Sequence, residues 1–417
     1  MSVGATALGP EALLRLKAEY LMPCVYHFYK SPPQIVAAEG CRLIDHTGRR
    51  YVDCYSGVTV MNAGHCNPAI IEPAIRQIRT LQHTTTIYLT EPILRLAEAL
   101  ARVVPGDLKR SFFCASGSEA VEGSLLLARL HTRRPDVVAM TNGLHGRTRW
   151  AINVTGLAMW RTDPFPLEDV HHVPFGDARA LREMLTQRKG RVAAVIGEPV
   201  QGNGGIRIPP SDYWPQVRAL CDEHDVLLIL DEVQTGFGRT GRWFACQHWQ
   251  IAPDILAVSK ALGNGFPIAA FVTTDRIAAS YTRPGASTHG GNPVAAAAAL
   301  ATLAYHHEQR LAERAATLGE RFLDRLKGLA EKHCCLCNPR GMGLMIGADI
   351  TDGHGTADAK RLDSVLEDLK DRGFLCGKTG PERNVLTVMP PLVIEGGELD
   401  ALADAIDASL EATETRA

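Results

Sequence analysis

The stretch VLLILDEVQTGFGRTGRWFACQHWQIAPDILAVSK, residues 226–260, decides the fold. It holds two unbroken apolar runs, VLLIL and ILAV, too short for helices and closed by polar residues. Such runs mark strands buried on both faces, as in a parallel or mostly parallel sheet. Asp231 closes the first run and Lys260 follows the second.

The same pattern extends outward. RSFFCAS (110–116), VVAM (137–140), VAAVIGEPV (192–200) and AAFVTT (269–274) read as further strands. Helices are expected over 118–132, 177–188, 212–224 and 293–306, so strands and helices alternate in an α/β sandwich. CRLIDHTGRRYVDC (41–54) reads as a β-hairpin turning at His46-Thr47-Gly48. After residue 308 come a long helix (308–332), short strands around 343–349 and 385–388, and a closing helix (397–412). We therefore expect three segments. Residues 1–60 carry the hairpin and join a small α+β domain, 61–308 form the large domain, and 309–417 complete the small one.

Composition narrows the function. Forty-four basic residues face 46 acidic ones, which gives no electrostatic pull toward nucleic acid or an anionic membrane. No apolar run is long enough to span a bilayer. MSVGATALGPEALLRLKAEY lacks the pattern of a secretory signal and reads as an amphipathic helix packing on the body or on a partner subunit. Eleven scattered cysteines fit free thiols in a reducing cytoplasm. Cys334, Cys335 and Cys337 cluster beside His333, but the paired half-site of a zinc centre is missing, so no metal is expected.

In open α/β sheets ligands sit beyond the carboxyl ends of the strands. Five polar groups fall there: Ser116-Gly117-Ser118, Gly143-Leu144-His145, Glu198, Asp231 with Gln234, and Ser259-Lys260. A lysine at the end of a buried strand loses hydration, which lowers its pKa toward that of a Schiff-base lysine. A carboxylate such as Asp231 on a buried strand needs a cationic partner, and a protonated pyridine nitrogen is one. Serine hydroxyls and N–H groups at a helix start form a phosphate cradle, although serine is equally a common N-cap. Gln234 is placed to reach a ring hydroxyl oxygen, and Val233 to pack on a ring face.

Residues 230–270 closely resemble the signature of the class III (ornithine/4-aminobutyrate type) aminotransferases. The resemblance extends to GHCNP (64–68), SGSEA (116–120), HGRT (145–148), GEPVQGNGG (197–205), THGGNP (288–293) and NVLTVMPPL (384–392). It spans roughly residues 30–395 and implies a pyridoxal 5'-phosphate enzyme of fold type I, a homodimer with active sites at the subunit interface. It implies that Lys260 carries the cofactor as a Schiff base and then moves the substrate proton. Asp231 would hold the pyridine nitrogen, Gln234 the ring oxygen, and Gly117 and Ser118 the phosphate. Thr288 would reach the phosphate from the neighbouring subunit.

Three departures bear on substrate. Leu144, beside His145, stands where the family usually stacks an aromatic ring on the cofactor. Thr387 replaces an arginine that in many members grips a substrate carboxylate and pairs with the glutamate at Glu198. Val58 replaces the tyrosine of ornithine-type members. Arg147 is retained as a carboxylate or phosphate fork, with a structural ion pair as its other reading. These changes imply a less polar pocket, with Val58, Leu144 and Thr387 lining it. The expected reaction is transfer of an amino group from an amine other than ornithine to a keto acid such as pyruvate. A lyase on the same scaffold, acting on an amino-alcohol phosphate or related β-substituted amine, is the alternative. An intact Lys260 and phosphate set argue against a non-catalytic binding protein.

Overall fold

The computed structural model describes residues 8–414. Strands β1 (Ile35–Glu39), β2 (Arg42–Asp45) and β3 (Arg50–Asp53) open the chain's sheet structure. The hairpin expected over 41–54 is β2–β3, and Asp45 Oδ1 holds its turn by accepting from the N–H groups of Thr47 and Arg49 at 2.9 and 3.1 Å. The central sheet contains β4 (Arg110–Cys114), β5 (Asp136–Met140), β6 (Val170–Val173), β7 (Val192–Gly197), β8 (Leu227–Asp231), β9 (Ile255–Val258) and β10 (Ala269–Thr273). The remaining strands are β11 (Leu336–Met342), β12 (Met345–Ile350), β13 (Phe374–Leu375), β14 (Gly377–Thr379) and β15 (Val385–Val388).

The central order is β4-β10-β9-β8-β7-β5-β6, and β10 alone runs antiparallel to its neighbours. Alternate residues of its strands enter two separate cores. Val138, Met140, Leu228, Leu230, Leu256 and Val258 pack on one face. Val137, Ala139, Leu227, Ile229, Ile255 and Ala257 pack on the other. That double burial is why the strands read as unbroken apolar runs. β6, VHHV, is half-buried at the sheet edge and carries no such run.

A third core joins distant parts of the chain. β13 pairs in parallel with β3, so the N-terminal hairpin and a C-terminal strand share one sheet. Cys54, Ile70, Phe322, Leu366, Leu386 and Leu402 meet in the core beneath it. The long helix Leu311–Lys332 and the closing helix Gly396–Glu414 lie where they are expected. His333 bonds Asp407 Oδ1 at 2.6 Å, where Lys332 Nζ also binds. The N-terminal helix, Pro10–Tyr20, buries none of its residues against the chain. Residues 1–7 of the expected segment lie outside the described residues.

Candidate active site

The carboxyl ends of β4, β5, β7, β8 and β9 converge on a cavity of about 230 Å³. Gly117, Ser118, Leu144, His145, Glu198, Asp231, Val233, Gln234 and Lys260 all line it, as expected, together with Gly146, Asn203 and Ser259.

β8 delivers Asp231 to the floor, only 4% exposed. Its Oδ2 meets His145 Nδ1 at 2.8 Å, and its Oδ1 accepts from the Val233 N–H at 3.0 Å. The carboxylate is thus fixed from both sides. His145 is itself held by its backbone N–H, which donates to Thr155 Oγ1 at 3.0 Å. Burial works against a charged imidazole, but the Asp231 hydrogen bond and charge outweigh it, and the His145 pKa is raised. Its Nε2 has no partner.

Glu198, just beyond β7, accepts from the N–H groups of Leu144 (2.8 Å) and Gly202 (3.1 Å). Burial pushes its carboxyl up to about 7, and the charge of Asp231 acts in the same direction, against His145 and the two N–H donors. Lys260 follows β9 with a left-handed backbone, φ +44°. A non-glycine residue there stores strain, a feature that concentrates at functional sites. Burial lowers the Lys260 pKa, and Asp231 and Glu198 partly offset that shift.

The helix Gly117–Thr132 points its first turn into the cavity. Here the three residues of SGS divide. Ser116 is the N-cap, its Oγ accepting from the Glu119 N–H at 3.3 Å, while Gly117 and Ser118 face the cavity. Ser116 is therefore a cap and not part of the lining. Ser118 Oγ accepts from the Arg147 N–H at 3.0 Å. Gly146, at φ +136°, allows this contact, because a Cβ there would lie 2.3 Å from Ser118 Oγ.

Several expected residues lie elsewhere. The Arg147 and Thr288 side chains are exposed and outside the lining. Thr387 is fully buried on β15, and its hydroxyl lies 2.7 Å from that of Thr379. It is not among the residues that line the cavity. Val58 is half-buried in a left-handed turn, Ser56–Thr59, with φ between 47° and 64°. Asp53 Oδ1 holds that turn through the N–H groups of Tyr55 and Ser56, and Ser56 Oγ donates to Met389 O at 2.7 Å. Of the three departures expected to line the pocket, only Leu144 does. Asn203 went unassigned in the sequence, although it lies within the GEPVQGNGG stretch.

The aminotransferase class-III family model matches residues 29–410. An acetylornithine aminotransferase of Methanothermobacter thermautotrophicus is 39% identical, over 95% of this chain and 97% of that protein. The mitochondrial alanine–glyoxylate aminotransferase 2 homolog 2 of Arabidopsis thaliana is 37% identical, over 96% and 88%. The ornithine aminotransferase of Toxoplasma gondii, solved with partial occupancy of pyridoxal phosphate at its active site, superimposes with a TM-score of 0.90. It is 30% identical, covering 98% of this chain and 96% of that one.

The chain belongs to the class III aminotransferases. These enzymes use pyridoxal 5'-phosphate, and the cavity of this aminotransferase fits that cofactor. A helix N-terminus suits a phosphate. Asp231 places a fixed anion at the floor, and Gln234 Oε1 is a buried polar atom without a partner. Among the described residues, no protein acceptor engages Lys260 Nζ. No helix among the described residues is long and apolar enough to cross a membrane.

Proposed function

We propose that this aminotransferase takes an amino group from an amine other than ornithine and passes it to a keto acid such as pyruvate. The observation that carries this reading is the setting of Glu198. Two backbone N–H groups hold it, no guanidinium among the described residues pairs with it, and the Thr387 hydroxyl is engaged elsewhere. A carboxylate switch between a glutamate and an arginine on β15 has no second member here.

Pyridoxal phosphate, when bound, supplies an electron sink for the carbon that carries the amine. The chain's residues prepare that chemistry. Asp231 keeps a negative charge at the floor, and His145 fixes its orientation. Lys260, with its lowered pKa, carries the cofactor and accepts or returns a proton at Nζ. Gly117 and Ser118 hold the phosphate through the helix start. Leu144 and Val233 line the same cavity and would cover the ring faces and keep water out. Gln234 would hold the ring oxygen with its Nε2, whose contact to Met389 Sδ, at 3.8 Å, is weak.

We further infer a homodimer, with Thr288 completing the partner's phosphate site. Its exposed position supports this, as do Ile87, Tyr88 and Leu89, which are 83%, 66% and 90% exposed, and the N-terminal helix, which buries none of its residues. Eleven free thiols support a reducing, cytoplasmic setting.

The test follows the holoenzyme's visible absorption while amines are added without keto acid. Lasting loss of the yellow band, restored by pyruvate, supports transfer and identifies the donor class. A band that dips and recovers as ammonia or phosphate appears refutes it in favour of the lyase.

A further inference from the structure

Four segments distant in sequence meet beside the Lys260 cavity. Arg383 closes the loop between β14 and β15 with a left-handed backbone, φ +57°. Its guanidinium carbon lies 5.4 Å from the Phe28 ring centroid and 5.7 Å from that of Tyr26. Phe28 meets Tyr55 edge-on at 5.8 Å, and Tyr26 leans on Trp160 at 6.1 Å. Two aromatic rings thus lie within cation–π range of one guanidinium.

The guanidinium N–H groups are hardly used. Arg383 Nη1 donates to Lys378 O at 3.0 Å, and among the described residues no carboxylate pairs with it. Four of five donors remain available. The cluster also borders the cavity directly. Gly380 N–H, in the Arg383 loop, donates to Asn203 O at 3.0 Å, and Asn203 lines the cavity. Tyr55 packs against the small core containing Met389, whose Sδ receives Gln234 Nε2 from the cavity side.

We propose that Arg383, seated on Tyr26 and Phe28, receives an anionic group of the substrate, a carboxylate, sulfonate or phosphate ester. This rests on the amino-transfer reading above and assigns that reaction its specificity-determining cation. The anion belongs either to the tail of the amine donor or to the keto acid. A guanidinium supported on aromatic faces offers two parallel N–H groups to such oxygens, which a surface lysine does not.

The test uses holoenzyme carrying Arg383→Ala or Arg383→Lys, with thermal melting to confirm that each variant folds. Succinate, an unreactive dianion, is titrated by calorimetry. The proposal expects Arg383→Ala to weaken succinate binding by about 10- to 100-fold, the range for hydrogen bonds to a charged group, and Arg383→Lys by less. Loss of the yellow band with β-alanine should then need a higher amine concentration, while that with propylamine is unchanged. A shift confined to β-alanine assigns the anion to the donor, and one confined to pyruvate assigns it to the acceptor. No saturable succinate binding to the wild type, or equal affinity in all three proteins, overturns the receptor. So does a shift of equal, non-zero size for β-alanine and propylamine. If no amine bleaches the wild type, the amino-transfer reading fails, and the succinate titration decides the receptor alone.

Discussion

The cavity floor and the aromatic cluster beside it are built on opposite principles. At the floor, both carboxylates are constrained: Asp231 by His145 and the Val233 N–H, Glu198 by the N–H groups of Leu144 and Gly202. In the cluster, Arg383 lies on two rings with most of its donors free. The floor suits a reaction whose charges must be placed in advance of the substrate. The cluster suits recognition, in which a partner arrives with the ligand. Chemistry common to a family belongs to the first region, and the choice of substrate to the second.

The sharpest way to break that contrast is at the floor. Lys260→Ala should abolish transfer while leaving the melting temperature close to wild type; residual turnover near wild type would remove Lys260 from the chemistry. Asp231→Asn should lower the rate of the first half-reaction by about 10²–10³-fold, the scale for losing one preorganised electrostatic partner. Stopped-flow absorbance reads this directly, and a loss below tenfold would mean that the floor charge is not essential.

Glu198 tests the floor by pH. Its folded carboxyl sits at about 7, above the ordinary 4.5, so the native chain holds that proton more tightly than the unfolded one. Stability of the cofactor-free protein should therefore gain a contribution as pH falls from about 7 toward 4.5 and lose it as pH rises through 7. Glu198→Gln should remove that dependence in urea titrations across the window. An unchanged profile would assign it to another group.

The cluster should respond more gently. Tyr26→Ala removes one ring under Arg383 and should raise the KM for an anionic substrate several-fold, with kcat little changed. A fall in kcat alone would place the cluster in the chemistry. The smallest effect is expected at Leu144→Phe. A stacked ring there should tighten the cofactor by about 0.5–1.5 kcal/mol, measured as slower cofactor release on dialysis.

The two regions were also unequally legible in the sequence. The floor residues follow apolar strands that are buried on both faces, so the strands mark their own ends and the polar residue beyond each end stands out. The helix Pro68–Thr80 was not assigned, although Asn67 caps it and Pro68 starts it, because Pro73 interrupts its pattern. β6 was missed because an edge strand of histidines carries no apolar run. Thr387 and Val58 were placed in the pocket by resemblance alone. Neither lines the cavity: Thr387 is buried with its hydroxyl against Thr379 and Val58 sits in the left-handed turn Ser56–Thr59, and neither placement is a local property of composition. The cluster left no trace, since Tyr26, Tyr55, Trp160 and Arg383 come from four segments that only the fold assembles.

The account's central claim is that Lys260 carries the cofactor. Reduction of the yellow holoenzyme with borohydride, followed by proteolysis and mass spectrometry, tests it most directly. The account predicts the added cofactor mass on the peptide containing Lys260, and on no other lysine. The same mass on a different lysine, or on none, would contradict it.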